Sequence, residues 1–250
     1  EEEVYIFQVR PIAVSKNWNR SISKEVDNAI SQIKIFLETN LKPKKRILGD
    51  TTLYGEMPDW NPAEMIGSAP RQLARSLYET LITDSIWAKA RKEMGYLDMS
   101  NHSLMINLAG RVYIDVRTSF NSFLPANIKK DCGEKIINFW LKKLSNNPKL
   151  HDKVEFDVAI TAYTFDTDNR LLEFEELLNS KEIEKFKDLI FEQTNSLIES
   201  HSSNSEEYEK KFEKLEKIRE EIKELSSIEL NHLKELVNSC QEYGTKTFSC

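Results

Sequence analysis

Polar and aromatic side chains adjoin one another in the first third of the chain, in an order suited to holding a small polar or anionic molecule. Asp59 and Asn61 flank Trp60, and Pro62 follows Asn61. The proline favours an extended conformation at Asn61 and fits the first position of a helix that Asn61 caps. The N–H groups at the start of such a helix can hold an anion. The same residues also fit an ordinary capped helix with Trp60 packed over it.

A second polar group lies in the run YIDVRTSFNSFLPAN at 113–127. Ile114 and Val116 alternate with Asp115 and Arg117, which predicts a strand with the two charged side chains on one face. Exposed on that face, they would form a surface ion pair worth about 0–1 kcal/mol. A structural pair and a binding site are both compatible with this pattern.

Three segments of this region resemble a known family. They are GEMPDWNPAEMIG at 55–67, RQLARSLYETLITDSIW at 71–87 and VYIDVRTSFNSFLPA at 112–126. In sequence and order they resemble the middle section of phosphoenolpyruvate synthase-like proteins, a family related to pyruvate phosphate dikinases and rifampicin phosphotransferases. The resemblance continues through 146–161 and ends at EYGTKTF, residues 242–248, so it covers nearly the whole chain.

The resemblance implies a nucleotide site at the start of the chain. Residues 3–13 alternate as a strand that Pro11 ends, and its QVRP sequence resembles the last strand of an ATP-grasp domain. Gln8 and Arg10 would then face the phosphates of ATP and their Mg²⁺. The rest of that site would precede Glu1. Because the chain begins with glutamate and not methionine, we expect an excised piece of a longer protein, inactive alone.

The family reaction, as the resemblance implies, moves a phosphoryl group from ATP to a histidine on a swivelling domain and then to a substrate. No histidine here has the small-residue setting of that carrier, so we expect the phosphohistidine domain to follow residue 250. This chain would supply the section that holds a small-molecule phosphoryl acceptor. The candidate substrate-binding residues are Asp59, Trp60, Asn61, Arg71, Arg117 and Asn121.

Composition fits a globular protein and argues against nucleic acid as a partner. Hydrophobic residues make up 40% and charged residues 30% of the chain, and the net charge is −6, whereas phosphate-backbone binding needs a surplus of clustered Lys and Arg. The basic cluster of Lys42, Lys44, Lys45 and Arg46 is typical of a solvated loop. No apolar run approaches the roughly 20 residues that cross a bilayer, and no signal peptide opens the chain. The cysteines lack CxxC spacing, which favours a reducing cytoplasm.

A metal or acid–base site near residue 155 is the less favoured interpretation of its polar residues. The four histidines are scattered without zinc-ligand spacing. Apolar and polar residues alternate over 153–165, which predicts a strand with an ordinary polar face. The residues concerned are His151, Asp152, Glu155 and Asp157.

Apolar spacing predicts a mostly helical α+β fold with a small antiparallel sheet. The sheet is expected to contain a hairpin at 103–118 and the strand at 153–165. Helices are expected at 22–37, at 71–94 with Gly95 as the stop, and at 133–144 before Asn147 and Pro148.

The Glu-, Lys- and Leu-rich C-terminal part predicts a helical hairpin packed on the core. One helix is expected at 183–197, a second opened by Ser203, and a break near Ser226. One uninterrupted helix over 205–243 would be about 58 Å long, against a domain about 46 Å across. A projecting coiled coil is the alternative. The expected parts are an ATP-grasp strand at 1–14, a linker helix and loop at 15–50, an α+β substrate-binding section at 51–170 and the hairpin at 171–250.

Two non-enzymatic functions compete with substrate binding. One is a helical spacer between catalytic domains, and the other is a partner-binding hairpin at 181–242 with an exposed apolar stripe. A substrate section requires the polar groups of 59–71 and 113–121 to converge on a concave pocket. A spacer would instead bury them in mutual hydrogen bonds.

Overall fold

The computed structural model describes residues 20–224, together with 235 and 237–239. The predicted strand at 3–13, with Gln8 and Arg10, lies outside the described residues, and so does the predicted break near Ser226. The helices are α1 (Arg20–Asn40), α2 (Pro62–Ile66), α3 (Gln72–Tyr78), α4 (Ile86–Glu93), α5 (Val116–Asn121), α6 (Lys130–Asn146), α7 (Thr167–Leu171) and α8 (Ser180–Glu224). The strands are β1 (Tyr54–Gly55), β2 (Met105–Leu108) and β3 (Arg111–Asp115).

The described part of the chain is a mostly helical α+β fold around a three-stranded antiparallel sheet in the order β1-β3-β2. The hairpin predicted at 103–118 is confirmed, with Leu108 opposite Arg111. Its two connecting residues, Ala109 and Gly110, have φ values of 50° and 85°. Positive φ at both central residues defines the tight turn whose twist matches that of paired strands.

The buried centre of the fold is α5 together with the three residues after it. Every residue from 116 to 124 is buried, although five of them are polar or charged. Helix α6 confirms the helix predicted at 133–144, and it packs beside α5 through Ile136, Ile137, Trp140 and Leu144. A second apolar cluster joins Trp87 of α4 to the sheet.

Strand β1 packs so closely against the loop after it that there is no room for a side chain at Gly55. A Cβ atom at Gly55 would lie 2.6 Å from Cγ of Pro58 and would also collide with the His151 ring. We expect Gly55→Ala to lower the free energy of unfolding by about 1–3 kcal/mol, the usual cost of overpacking. Urea unfolding would measure this cost. Gly110→Asn is the control, because its Cβ position is open and asparagine tolerates positive φ, so its effect should be smaller.

The helix predicted at 71–94 is divided by a π-helical turn, so its apolar residues do not share one face. Helix α3 passes into a π-helical turn at Glu79–Thr83 before α4 begins. The wider turn shifts the helical phase, so α4 buries Ile86 and Trp87 while Leu73 is 71% exposed. The predicted stop at Gly95 is confirmed by the hydrogen bond from its N–H to the carbonyl of Lys92.

The strand predicted at 153–165 is wrong. Val154–Val158 forms a π-helical turn, closed by a hydrogen bond from the N–H of Ala159 to the carbonyl of Val154. Val154 and Val158 are buried one turn apart, and Phe156 between them is 69% exposed. Two apolar residues four apart fit a helical turn as well as they fit every second place of a strand, and none of the described strands pairs with this segment.

Two of the predicted helices are present but differ from the prediction, α1 in its burial and α8 in its length. Helix α1 confirms the helix at 22–37, but Ile22, Val26 and Ile30 of its apolar stripe are exposed.

Helix α8 is continuous for 45 residues and passes through Ser203, so the expected helix start there is wrong. At 1.5 Å per residue it is about 67 Å long, which favours the projecting alternative for this part. Among the described side chains of α8, Gln193 is the last that is buried. None of the described helices combines the length and the apolar character needed to cross a membrane.

Candidate functional site

Asp59 is the centre of a buried polar contact between the first and second polar groups of the sequence. It is 5% exposed, and its Oδ2 accepts a hydrogen bond from Oγ of Ser119 at 2.8 Å. Its Oδ1 accepts a charged hydrogen bond from Nη2 of Arg91 at 2.9 Å. The Arg91 guanidinium in turn lies 4.3 Å from the centre of the Phe123 ring. A charge pair combined with a cation–π contact fixes Asp59 firmly in one position.

The backbone beside Asp59 adopts a tight left-handed path. Asp59, Trp60 and Asn61 have φ values of 43°, 37° and 34°, so the extended conformation predicted for Asn61 is wrong. Asparagine and aspartate tolerate this region because their side chains hydrogen-bond locally. Asn61 does cap α2 as predicted, with Pro62 in the first turn, and its Oδ1 accepts from the N–H of Glu64 at 3.4 Å. With only five residues, α2 offers no anion site of its own.

Asp115 and Arg117 do not share a strand face, because β3 ends at Asp115 and α5 begins directly after it. Asp115 caps α5, accepting from the N–H of Thr118 at 3.3 Å, and it also accepts from Oγ1 of Thr52 at 2.6 Å. Lys44 Nζ lies 3.7 Å from its second oxygen. The predicted surface ion pair of Asp115 with Arg117 is therefore replaced by separate buried contacts.

Arg117 is fully buried and holds the loop that leaves α1. Its Nη1 donates to the carbonyls of Lys42 at 2.9 Å and Gly49 at 3.3 Å, and its Nη2 donates to the carbonyl of Asn40 at 3.1 Å. A guanidinium can bind three carbonyls at once because its donors point outward in one plane. Arg117 thereby joins both ends of the loop.

Asn121 fixes the same loop one helical turn further along α5. Its Nδ2 donates to the carbonyl of Leu48 at 2.9 Å and its Oδ1 accepts from the N–H of Leu48 at 2.9 Å. The Asn121 amide thus pairs with the loop backbone as a neighbouring strand would. Its second Nδ2 hydrogen bond goes to the carbonyl of Arg117 at 2.8 Å.

A cleft of about 670 Å³ opens over this loop, and we call it the basic cleft. Four of its lining side chains are cationic and two are anionic. Its apolar wall includes Ile47, Leu48 and Met99, and Asn121 also lines it. The cationic residues are Lys44, Lys45, Arg46 and Lys130, and the anionic residues are Asp98 and Glu134.

The six candidate residues do not converge on one pocket. Asp59 binds Ser119 and Arg91, while Arg117 and Asn121 reach the loop below the basic cleft. The carbonyl of Trp60 accepts a hydrogen bond from the hydroxyl of Tyr78. Arg71 is exposed at the start of α3, and Asn61 is half-buried at the start of α2. Of the six, Asn121 lines the basic cleft.

His151 and Glu155 lie beside this polar core, on the π-helical side of the fold. Burial lowers the pKa of His151, and the nearby Asp152 carboxylate opposes that shift. Burial has the opposite effect on the pKa of the Glu155 carboxyl, which it raises. Oε2 of Glu155 has no hydrogen-bond partner among the described residues. Within that part of the chain, no three His, Cys, Asp or Glu side chains group as a metal-ligand set.

We expect the lowered pKa of His151 to make the fold less stable in mild acid. Below the ordinary pKa of 6.5 the unfolded chain binds a proton that the folded chain resists, so stability falls as the pH falls from 7.5 to 5.5. His151→Gln should make this slope shallower in urea unfolding at several pH values. His102, whose pKa burial also lowers, should leave part of the slope in place. An unchanged slope in His151→Gln would contradict the prediction.

Comparison with known proteins adds no relative. No family model, curated protein or solved structure matches the chain. The resemblance of the three sequence segments to a known family stays a prediction.

Sequence reasoning missed Arg91 and undervalued the loop cations. Arg91 lies on a helix whose local pattern gives no sign that Asp59 is its partner. Lys44, Lys45 and Arg46 were visible as a basic cluster, and only the cleft that they line together with Asn121 distinguishes them from a solvated loop.

Proposed function

We propose that this chain is the middle, substrate-holding section of a phosphoenolpyruvate synthase-like phosphotransferase of the cytoplasm. Such a protein moves a phosphoryl group from ATP through a phosphohistidine to a small-molecule acceptor. The supporting observation is that the resembling segments pack on one another. The Ser119 hydroxyl donates to Asp59 at 2.8 Å, and the Tyr78 hydroxyl donates to the carbonyl of Trp60. The three quoted segments thus pack as one unit.

ATP and Mg²⁺ belong to the nucleotide-binding part of the proposed protein. Gln8 and Arg10 are its proposed contributions from this chain, and both lie outside the described residues. The described part would hold and orient the acceptor. Phosphoryl transfer depends mainly on such positioning and on neutralising the charge of the phosphate oxygens. Cations on a fixed loop, held from below by Arg117 and Asn121, suit that task.

A non-catalytic spacer is the second candidate, and one observation favours it. Asp59, Arg117 and Asn121 direct their polar atoms to other parts of the protein and not into an open pocket. A spacer would use them only to join its segments, and the long α8 would set a distance between neighbouring domains. Substrate binding at Asp59, Trp60, Asn61, Arg71, Arg117 and Asn121 stays a prediction.

The deciding experiment uses the full-length protein, incubated with Mg²⁺ and with ATP labelled in either the β- or the γ-phosphate. The phosphotransferase proposal expects an acid-labile, base-stable phosphoenzyme. Gln8→Ala or Arg10→Ala should abolish it, whereas Arg71→Ala, an exposed candidate in the substrate section, should leave it intact. If no phosphoenzyme forms with any nucleotide, the spacer proposal replaces this one.

A further inference from the structure

We propose that the basic cleft binds a small phosphorylated organic molecule. As a substrate site this proposal rests on the proposed function, but binding itself can be measured whether or not the full-length protein forms a phosphoenzyme. Four features of the cleft support it: its charge, its fixed loop, its apolar wall and its size.

The charge of the cleft favours an anion with two negative charges. Four cationic and two anionic side chains line it, but Lys44 is already paired with Asp115. With Lys44 and Asp98 both compensated, three cations and one anion remain, which is an excess of two positive charges. Asp98 is already compensated, because hydrogen bonds from Lys92 and then Ser100 lower its pKa to about 2. Within the part of the chain that the structure describes, Lys45 and Arg46 have no ion-pair partner, so both are available to a ligand. A phosphomonoester carries close to two negative charges at neutral pH.

The loop that carries these cations is held more firmly than a solvated loop requires. Arg117 and Asn121 are buried, and together they bind the backbone of Asn40, Lys42, Leu48 and Gly49. Burying a guanidinium is costly, and here its two Nη atoms are hydrogen-bonded to both ends of the loop, while Nε has no partner among the described residues. Between those ends Arg46 has a φ of 66°, which is unfavourable for arginine. A fixed loop loses little entropy when a ligand binds.

The remaining wall and the volume suit an organic group attached to the phosphate. Ile47, Leu48, Leu97, Met99 and Ile128 line the cleft beside the cations. Small-molecule sites combine a mostly apolar wall with a few placed polar groups, and their volumes are about 300–1,000 Å³. The cleft, at about 670 Å³, falls within that range. Inorganic phosphate alone would leave most of it empty.

The test measures ³¹P line broadening when the protein is added to glycerol 3-phosphate, glucose 6-phosphate or phosphoenolpyruvate, with glucose and inorganic phosphate for comparison. We expect at least one of the three esters to bind more tightly than inorganic phosphate, and glucose to leave the protein amide spectrum unchanged. The paired variant Lys45→Gln with Arg46→Gln should weaken ester binding by about tenfold or more, since each charged hydrogen bond contributes substantially. Both side chains are exposed, so the fold should be retained.

A neighbouring cleft provides the matched control. It carries Lys129, Lys181 and Lys185 but lies against the start of α8. The paired variant Lys181→Gln with Lys185→Gln removes the same charge and should leave ester binding unchanged. Equal loss in both paired variants would overturn the proposal in favour of general surface charge. Absence of binding by all three esters at millimolar concentration would also overturn it. A phosphoenzyme formed without ester binding would leave the proposed function standing while this inference fails.

Discussion

Arg117→Ala should lower the free energy of unfolding by about 3–5 kcal/mol. The substitution removes the donors for the carbonyls of Asn40, Lys42 and Gly49 and leaves a cavity where a fully buried side chain stood. Each carbonyl that stays buried without a partner costs about 1–3 kcal/mol. The free energy of unfolding of Arg117→Lys should lie between those of the wild type and Arg117→Ala, because an ammonium group lacks the planar fork that reaches several carbonyls.

Urea unfolding followed by tryptophan fluorescence would measure this loss, since Trp87 and Trp140 are both fully buried. Arg71→Ala is the control, because Arg71 is exposed and its removal should change stability by no more than about 0.5 kcal/mol. A loss below about 1 kcal/mol in Arg117→Ala would mean that water replaces the guanidinium. Arg117→Lys, measured while still folded, should also bind phosphomonoesters more weakly, because the loop of the basic cleft is then less fixed.

Local sequence patterns correctly predicted the elements whose buried residues all lie within one short segment of the chain. Helix α6 followed from its apolar stripe and from the Asn147 and Pro148 that end it. The hairpin followed from two apolar runs separated by a glycine-containing turn, and the turn geometry is carried by Ala109 and Gly110. In each case one short segment contains both the buried face and the signal that ends it.

The failures came where two periodicities fit the same residues. Val154 and Val158 satisfy the alternation of a strand and the spacing of a helical turn, and only the lack of a pairing strand among the described residues decides between them. In 71–94 the apolar residues fit one straight helix, but the π-helical turn at Glu79–Thr83 changes the phase. A widened turn of this kind has no reliable sequence signature.

The sequence indicated which polar residues to examine but not which residues they contact. The sequence singled out Asp59, Arg117 and Asn121, and all three are buried. Their partners lie far along the chain: Arg117 binds the carbonyl of Lys42 across 75 positions, and Asp59 binds Ser119 across 60. Such contacts depend on how the elements pack, which no local spacing encodes.

A double-mutant cycle on Asp59 and Arg91 should reveal the second large effect. Asp59→Ala alone is expected to cost about 3–5 kcal/mol, because it leaves the Arg91 guanidinium largely buried without its carboxylate and leaves the Ser119 hydroxyl without an acceptor. Arg91→Met alone should cost a similar amount, because it leaves the buried Asp59 carboxylate without its cation, even though a flexible apolar side chain can still pack against Phe123. The double variant should be more stable than the sum of the single losses predicts, by about 0.5–3 kcal/mol.

The sign of that coupling separates a specific buried pair from two independent contributions. Additive losses would show that Asp59 acts through Ser119 alone and that Arg91 contributes only packing against its aromatic neighbours. A favourable coupling would show that the pair itself joins the first resembling segment to α4. Lys92→Met, at the neighbouring exposed position whose partner is Asp98, is the matched control and should show no coupling to Asp59. Both proposed functions need the contact between Asp59 and Arg91 intact. Once the stability of the full-length double variant is known, its ability to form the phosphoenzyme can be interpreted. If it is folded and still forms the phosphoenzyme, Asp59 is not needed to form the phosphohistidine.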